Sequence, residues 1–390
     1  MNTLTDVEWN AFALPANLAD GHAYHDMHVA FMEIMKNLER IWSEADKITP
    51  PRMALDFKNS FSRLIKSPSL MPHTHYKICP SASNSIDLIA AFLHGKNIRT
   101  VLVEPTFDNL ALLLQRRGVT VDSVSEDNLR HHLVDGNFDS IPAIKTAEAV
   151  FIVSPNNPTG YTLSLQEFKT LVAYCKRTEK LLVVDNSFRF FNRQGYDDYQ
   201  VLLESGVNFI AFEDTGKTWP TQDLKASLII YSDTVKVFFE SLYNEIYLCV
   251  SNFVLHLFSH LFDATSAVGL KSVLWDVVDS NRALLRETLQ GSVLRISETS
   301  KYSLLSVEWL DCRLTGLTDI EFCKALATSG LGILPGRNFH WESSAHCSNH
   351  FNVRISLLKK GSDFKRAMIL LSGFLNTWSP SAAGTSLGHH

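Results

Sequence analysis

The 390-residue sequence lacks the charge and cysteine patterns that mark several classes of protein. It has no lysine- or arginine-rich run and its formal net charge is −5, so neither a nucleic-acid partner nor binding to an anionic membrane surface is expected. Its six cysteines are scattered without a CxxC pair. This predicts reduced thiols inside a cell rather than a disulfide frame or a zinc ribbon.

The sequence also has little uninterrupted hydrophobicity. The N-terminus, MNTLTDVEWN, has no cationic start followed by an apolar core. The most apolar stretch, from Tyr247 to Phe262, is broken by serine, asparagine and histidine and falls short of a membrane span. No repeat is visible that would indicate a solenoid or a propeller. We expect a soluble cytoplasmic protein, and an enzyme.

Short β-branched runs alternate with helical patterns in the middle of the chain. The predicted strands are 100–103, 119–124, 149–153, 181–184, 209–212 and 226–231. A capping box of Ser164 and Glu167 begins a helix between two of them. This alternation predicts an α/β fold with a mostly parallel sheet covered on both faces. Ligands of such sheets bind at the carboxyl ends of the strands.

The pattern changes beyond about residue 280. A second capping box, Thr318 with Glu321, begins a helix, and strand-like runs follow at 331–336 and 351–355. We expect a smaller α+β domain there. The predicted organisation is an N-terminal segment, a large domain, a small domain and a disordered polar tail, with the boundaries 1–55, 56–279, 280–378 and 379–390.

Four predicted strands end in unusual residues. Asp185 follows one strand, SPNNPTG follows another, EDTGK ends in Lys217 after a third, and EPTF ends in Phe107 after a fourth. Taken alone, an Asp after a strand is more often a helix cap, and PNNPTG is a turn. Their joint order along the chain needs another explanation.

In order and spacing, this set resembles the fold type I, aspartate aminotransferase-like enzymes that use pyridoxal 5′-phosphate (PLP). The resemblance implies a mostly parallel seven-stranded sheet in the large domain, a homodimer, and PLP as cofactor. It implies that Lys217 bonds covalently to PLP and that Asp185 keeps the pyridine nitrogen protonated. By the same resemblance, Asn157 donates to the cofactor's 3-hydroxyl and Phe107 stacks on its ring.

The resemblance also implies how the phosphate and the substrate are held. Ser81, Ala82 and Ser83 begin a helix whose N–H groups favour an anion. Lys225 takes the place of the family's phosphate-binding arginine. Arg354, in NVRIS, matches the arginine that binds the substrate α-carboxylate through a bidentate fork.

Two positions depart from the family pattern. Where the family has Ser or Thr three residues before the lysine, this chain has Asp214. A phosphate would repel that carboxylate, so we expect Asp214 to point towards a cation. Where the family has a Tyr that donates to the 3-hydroxyl, this chain has Phe188, which removes one hydrogen bond to the cofactor.

The N-terminal segment carries a second resemblance. Its Thr and Glu residues and the run ADGH, together with DTGKTWPTQDLK, are similar to PLP-dependent arginine oxidases and arginine hydroxylases of natural-product biosynthesis, and to capreomycidine synthases. This implies that the N-terminal helix closes over the substrate and that His22 is a catalytic histidine. It also implies four partners for a substrate guanidinium: Thr5, Glu8, Asp20 and Asp214.

Simpler interpretations of these residues stay open. Thr5 and Glu8 fit a capping box, which would account for both of them. A histidine in a loop, such as His22, is by default solvated. The spacing of His22, His25 and His28 is not accompanied by a Cys or carboxylate cluster, so we predict no metal site.

The sequence therefore predicts a PLP- and dioxygen-dependent oxidase of arginine. The expected products are ammonia, hydrogen peroxide and a 2-oxo acid, either 4,5-dehydro-2-oxoarginine or 4-hydroxy-2-oxoarginine. Three alternatives remain. An aminotransferase of a cationic amino acid would need a 2-oxo acid co-substrate, and a capreomycidine synthase-like cyclase would release no peroxide. A non-enzymatic PLP-binding protein is disfavoured, because Lys217, Asp185 and Arg354 are all present.

Overall fold

The computed structural model describes residues 3–342 and 350–377. The helices of this part of the chain are α1 (Leu4–Ala11), α2 (Val29–Lys36), α3 (Leu38–Ala45), α4 (Pro50–Leu64), α5 (Ala82–Gly95), α6 (Asp108–Arg116), α7 (Glu126–Asp135), α8 (Pro142–Thr146), α9 (Leu165–Arg177), α10 (Asp198–Ser205), α11 (Lys236–Ile246), α12 (Asn252–Val268), α13 (Asp276–Thr288), α14 (Asp319–Thr328) and α15 (Gly361–Thr377). The strands are β1 (Ala16–Asn17), β2 (Tyr76–Cys79), β3 (Thr100–Glu104), β4 (Val121–Ser125), β5 (Ala149–Val153), β6 (Leu181–Asp185), β7 (Phe209–Phe212), β8 (Ser227–Tyr231), β9 (Arg295–Ile296), β10 (Val307–Asp311), β11 (Leu331–Gly332), β12 (Leu334–Pro335) and β13 (Asn352–Ser356).

The central sheet contains seven strands in the order β2-β8-β7-β6-β5-β3-β4. β8 pairs antiparallel with both of its neighbours, and the other pairs are parallel. The predicted mostly parallel seven-stranded sheet is therefore confirmed. Because β8 runs against the rest, its amino end lies at the same edge as the carboxyl ends of β3, β5, β6 and β7. β3, β5 and β6 are buried along their whole length, as expected for a sheet covered on both faces.

The six strands predicted for this region are present, with ends that differ by no more than two residues. β2 was not predicted. It is a short edge strand, and its antiparallel partner β8 lies far along the chain, so no local pattern marks it.

A second sheet, of order β12-β13-β10-β9, is antiparallel and supplies the strands of the smaller α+β region expected beyond residue 280. The N-terminal segment joins this region, because β1 pairs in parallel with β11. One hydrophobic cluster includes residues of both sheets. The domain boundaries drawn from the sequence stay predictions, and the tail 379–390 lies outside the described residues.

Two of the helix caps agree with the prediction from the sequence, and one differs from it. Both predicted capping boxes, before α9 and before α14, are present. The capping box of α1, however, uses Thr3 and Asp6: the Thr3 oxygen accepts from the Asp6 N–H at 3.1 Å, and the Asp6 carboxylate accepts from the Thr3 N–H at 2.8 Å. Interpreting Thr5 and Glu8 as a cap is therefore wrong, because both lie inside the helix.

The turns that lead into β3, β4, β6 and β7 share one backbone feature. Each contains an exposed residue with positive φ: Asn97 at 54°, Gly118 at 83°, Glu179 at 56° and Gly206 at 66°. These turns connect the end of a helix to the amino end of a strand, where left-handed residues commonly end helices. They therefore lie at the edge of the sheet opposite to the carboxyl ends.

In the part of the chain that the structure describes, no single helix is both long and apolar enough to cross a membrane. α12 passes such a test only together with the helical run Lys271–Thr288, and the two are bent by 104° relative to each other.

Candidate active site

A cavity lies at the carboxyl edge of the central sheet. It is lined by residues from several strand ends, from the start of α5 and from the N-terminal segment. Phe188, the departure from the family pattern, is among them. So are ten of the fourteen site residues predicted from the sequence: His22, Ser81, Ala82, Ser83, Phe107, Asn157, Asp185, Asp214, Lys217 and Lys225.

Asp185 ends β6 at the bottom of this cavity. Its side chain is buried, and its Oδ1 accepts the Ser187 N–H at 2.8 Å. Burial raises the pKa of Asp185 to about 6, and the nearby Asp214 adds to this, whereas the hydrogen bonds of Ser187 and the charge of Lys217 oppose it. A carboxylate in this setting is stabilised by a cationic partner in the cavity.

A second group of residues forms an anion-binding region of the cavity. Ser81 caps α5, its hydroxyl accepts the Asn84 N–H at 3.3 Å, and Ser81, Ala82 and Ser83 at the start of this helix line the cavity. The first N–H groups of a helix have no partner inside the helix and carry partial positive charge. Lys225 adds an ammonium to the same cavity. These groups together favour a phosphate.

His22 lies between a carboxylate and this ammonium. Its Nδ1 is 2.6 Å from Asp20 Oδ1, and its Nε2 is 3.4 Å from Lys225 Nζ. Both ring nitrogens of His22 therefore have a polar neighbour in the closed arrangement. Although burial opposes it, the hydrogen bond from His22 and the charges of Lys359 and Lys217 hold the pKa of Asp20 well below its usual range.

Arg354, in β13, is buried and already holds a carboxylate. Its Nη2 lies 3.3 Å from Glu8 Oε1 and also donates to the Ala19 carbonyl. Its guanidinium carbon is 5.7 Å from the centre of the Phe339 ring. The N-terminal segment passes close to this guanidinium at Gly21, where a Cβ would be at van der Waals distance, 3.4 Å from Nη2. α1 is thus closed over Arg354, with Glu8 in place of an external carboxylate.

Thr5 and Asp214, two of the residues predicted to contact a substrate guanidinium, have the following surroundings within the chain. Thr5 lies on the exposed side of α1 and does not line the cavity. Asp214 Oδ1 accepts the Gly216 N–H at 2.9 Å, and Asp214 forms no ion pair among residues 3–342 and 350–377, although we expected it to point towards a cation. The physical reason is local: a carboxylate two residues before Gly216 can close a turn with its own backbone.

A buried network lies behind the ends of β6 and β7. Arg189 donates to Glu213 at 2.6 Å and to Asp198 at 2.7 Å, and the Tyr199 hydroxyl donates to Glu213 at 2.6 Å. Glu213 precedes Asp214 in the chain, and Arg189 follows β6 by four residues. The network therefore fixes the backbone that presents the carboxylates of the cavity.

Sequence reasoning missed two residues near the site. Asp108 Oδ2 accepts the Leu4 N–H at 2.9 Å and so anchors the start of α1, while burial, with Glu8, raises the pKa of Asp108 to about 6. Because Asp108 directly follows the predicted site residue Phe107, its position in the sequence could have indicated that it lies near the site. Lys359 is buried with its Nζ 4.7 Å from the centre of the Tyr24 ring, and burial lowers the pKa of Lys359 to about 8. No local pattern marks Lys359.

The donor set of the cavity fits PLP. The helix start and Lys225 suit a phosphate, the buried carboxylate of Asp185 suits a protonated pyridine nitrogen, and Phe107 offers an aromatic face. Lys217 supplies a primary amine in the same cavity. The cavity thus offers contacts for both the phosphate and the pyridine ring of PLP.

Comparison with solved structures agrees with this fit. The chain is similar to "The structure of MppP soaked with the product 2-ketoarginine", with 29% identity, a TM-score of 0.82, and coverage of 92% of this chain and 99% of that chain. It is also similar to aspartate aminotransferase from Thermus thermophilus with maleate, with 14% identity, a TM-score of 0.75, and coverage of 96% and 97%.

Among curated proteins, the matches are partial. Histidinol-phosphate aminotransferase of Methanococcus maripaludis is 23% identical over 116 residues, which is 30% of each chain. LL-diaminopimelate aminotransferase 2 of Trichormus variabilis is 34% identical over 79 residues, which is 20% of each. The chain thus matches less than a third of the length of these relatives. Residues 16–360 match the family described as aminotransferase class I and II. The chain belongs to that family, has the fold of type I PLP enzymes, and uses PLP as its cofactor.

Proposed function

We propose that this chain is a PLP- and dioxygen-dependent oxidase of arginine, which releases a 2-oxo acid, ammonia and hydrogen peroxide. The observation that carries the proposal is the closed N-terminal segment, in which Glu8 pairs with Arg354 and Asp20 contacts His22, a residue of the cavity lining. Such carboxylates suit a planar cation such as guanidinium. The likeness to MppP, solved with the product 2-ketoarginine, supports the same substrate class.

Four side chains share the binding and proton transfer in this proposal. Arg354 binds the substrate α-carboxylate, after Glu8 has released it. Lys217, in its neutral form, removes the proton from Cα. PLP, when bound, supplies an electron sink for the charge that develops at Cα. Asp185, buried at the end of β6, pairs with a positive charge in the cavity.

The guanidinium would lie among the carboxylates of the N-terminal segment and of the turn after β7. Glu8, once it leaves Arg354, is free to turn towards the substrate side chain. Asp20 is kept ionised by His22, and Asp214 lines the cavity. Thr5 contacts the substrate only if α1 rotates, because its side chain is exposed in the closed arrangement.

Each two-electron oxidation consumes one dioxygen and gives one hydrogen peroxide. Two such oxidations, followed by release of ammonia with one water, give 4,5-dehydro-2-oxoarginine, and addition of a further water at Cγ gives 4-hydroxy-2-oxoarginine. We assign the guidance of that water to His22, which lines the cavity and whose Nε2 lies 3.4 Å from Lys225 Nζ. His22→Ala should change the ratio of the two products while Cα deprotonation continues. An unchanged ratio would remove His22 from this role.

Oxygen uptake tests the proposal directly. The purified holoenzyme, given L-arginine in air-saturated buffer without any 2-oxo acid, should consume dioxygen over many turnovers. Mass spectrometry should then detect a 2-oxo acid and peroxide. Lys217→Ala is the matched control and should show no uptake. Absence of uptake by the wild type, with turnover only when a 2-oxo acid is added, would contradict an oxidase.

An aminotransferase of a cationic amino acid is the second candidate. It is favoured by the curated relatives, which are aminotransferases. The same experiment separates the two, since an aminotransferase consumes a 2-oxo acid and releases no ammonia or peroxide. A place in natural-product biosynthesis belongs to the oxidase proposal. The homodimer and the cytoplasmic location expected from the sequence stay predictions.

A further inference from the structure

A second cluster of ionisable side chains lies away from the cavity, between α3 and α12. Glu44 projects from α3, and His256 and His260 project from one face of α12, one turn apart. Glu44 Oε2 lies 3.1 Å from His256 Nε2 and 3.8 Å from His260 Nε2. The potential ligand atoms of the three residues all lie within 4.8 Å of one another.

Hydrogen bonding within the chain does not satisfy this cluster. Glu44 Oε1 is held by Arg40 Nη1 at 3.0 Å, which leaves Oε2 facing the two imidazoles. Oε2 is within hydrogen-bond distance of His256 only. The Nε2 of His260 is buried and has no hydrogen-bond partner among the described residues. An unsatisfied buried nitrogen is costly, so an additional group at the centre of the cluster would stabilise it.

We propose that Glu44, His256 and His260 bind a divalent transition-metal ion, and that Zn²⁺ is the ion that fits best. Imidazole nitrogen and carboxylate oxygen are common Zn²⁺ ligands, and two histidines four residues apart on a helix present their rings to one ion. Zn–N bonds of about 2.0–2.1 Å in a tetrahedron place the ligand atoms about 3.4 Å apart. The separations of 3.1 and 3.8 Å in this cluster bracket that value.

The charges around the cluster are compatible with a cation. Asp263, one turn further along α12, lies on the side of His260, and its carboxylate pairs with Arg63 at 3.2 Å. Arg40 is the one cation in hydrogen-bond contact with the cluster among the described residues, and it holds the outer oxygen of Glu44.

The location indicates a structural ion. α3 belongs to the N-terminal segment, whereas α12 packs along α4 and carries Phe258 and Phe262 into the main core. An ion bound by both helices would tie the N-terminal segment to the body of the protein. Three protein ligands leave one position for water. This inference does not depend on which reaction the cavity carries out.

Metal binding can be measured on the holoenzyme after dialysis against a chelator. Calorimetric titration with Zn²⁺, with elemental analysis after gel filtration, should give one ion per chain for the wild type. His256→Gln and His260→Gln should each weaken binding at least about tenfold. His94→Gln is the matched control: it removes an exposed helical histidine outside the cluster and should leave the affinity unchanged.

Thermal unfolding provides a second readout. Zn²⁺ should raise the Tm of the wild type and of His94→Gln, but not that of the cluster variants, because a ligand stabilises only the fold that binds it. If a histidine variant does not fold, Glu44→Gln, on the half-exposed side of the cluster, gives the same test. No binding by the wild type, or equal affinity in the wild type and in the cluster variants, would overturn the proposal.

Discussion

The contact between Glu8 and Arg354 predicts that one substitution changes the binding of two related ligands in different ways. Both side chains are largely buried, with 14% and 2% of their surface exposed, and their charged atoms lie 3.3 Å apart. A ligand carboxylate that binds Arg354 must first displace Glu8. Glu8→Gln keeps the size of the side chain but removes the competing charge.

The size of the effect follows from the burial of the pair. Removing one partner of a buried ion pair costs about 3–5 kcal/mol, since the other charge is left uncompensated. Arg354 keeps the Ala19 carbonyl as a partner and has Asp20 and Asp108 nearby, so part of that cost is offset. We therefore expect a ligand carboxylate to bind Glu8→Gln about 10- to 100-fold more tightly, which equals about 1.4–2.7 kcal/mol.

Two ligands without an α-amine make the test specific, because neither can react. Hexanoate has only a carboxylate and an alkyl chain, and it should show the full gain. 5-Guanidinopentanoate adds a guanidinium, which loses Glu8 as a partner in the variant, so its gain should be smaller. Dissociation constants from calorimetry on the holoenzyme give both values.

Glu33→Gln is the control, since it neutralises an exposed carboxylate of the N-terminal segment. It should change neither dissociation constant. If hexanoate binds Glu8→Gln no better than the wild type, Glu8 does not compete for Arg354 and the reasoning fails. An equal gain for both ligands would instead remove Glu8 from the guanidinium site.

Three further predictions follow from buried charges. Arg189→Met should lower the free energy of unfolding in urea by about 3–5 kcal/mol, because two buried carboxylates lose their cation, whereas Arg63→Met, in an exposed pair, should cost less than about 1 kcal/mol. Asp185→Asn should weaken PLP binding at least about tenfold in equilibrium dialysis, and full retention of PLP would contradict its assigned role. Burial raises the pKa of Asp108 from 3.8 to about 6, so the folded state binds a proton more tightly than the unfolded state. The stability that this group contributes therefore falls as pH rises between those values. Asp108→Asn should gain stability relative to the wild type over that range, which urea titrations of both proteins at the two pH values check.

Much of the central sheet could be predicted from the sequence, because most of its strands are continuous buried runs bounded by polar residues. β5 and β6 illustrate this, with Ser154 and Asp185 at their ends. Since parallel strands end at one edge, the order of those residues also predicted which of them meet. Phe107, Asn157, Asp185 and Lys217 follow or end such strands and line one cavity.

The start of α1 shows why the rest could not be predicted. The run TLTDVE contains two overlapping capping patterns, Thr3 with Asp6 and Thr5 with Glu8. Local propensity does not choose between them. The choice depends on contacts with distant residues: Asp108 accepts the Leu4 N–H, and Arg354 holds the carboxylate of Glu8.

Lys359 is a similar case. Its burial arises where the N-terminal segment crosses the end of β13, at an isolated parallel bridge with Tyr24. Nothing in the residues around Lys359 indicates that crossing. Contacts between segments that are far apart in the chain therefore decided both the closure over Arg354 and the charges around it.

The four exposed turns with positive φ have a practical consequence for engineering. They lie at the edge of the sheet opposite to the carboxyl ends that border the cavity, and each joins two complete elements. An affinity handle or a surface linker inserted at Glu179 or Gly206 would leave the entrance of the cavity open to solvent. Exposed loop tips of this kind are also where a chain is most readily reopened as a circular permutant. The residues of the cavity thus lie at the carboxyl edge of the sheet, whereas the positions at which the protein can be attached to a solid support lie at the opposite edge.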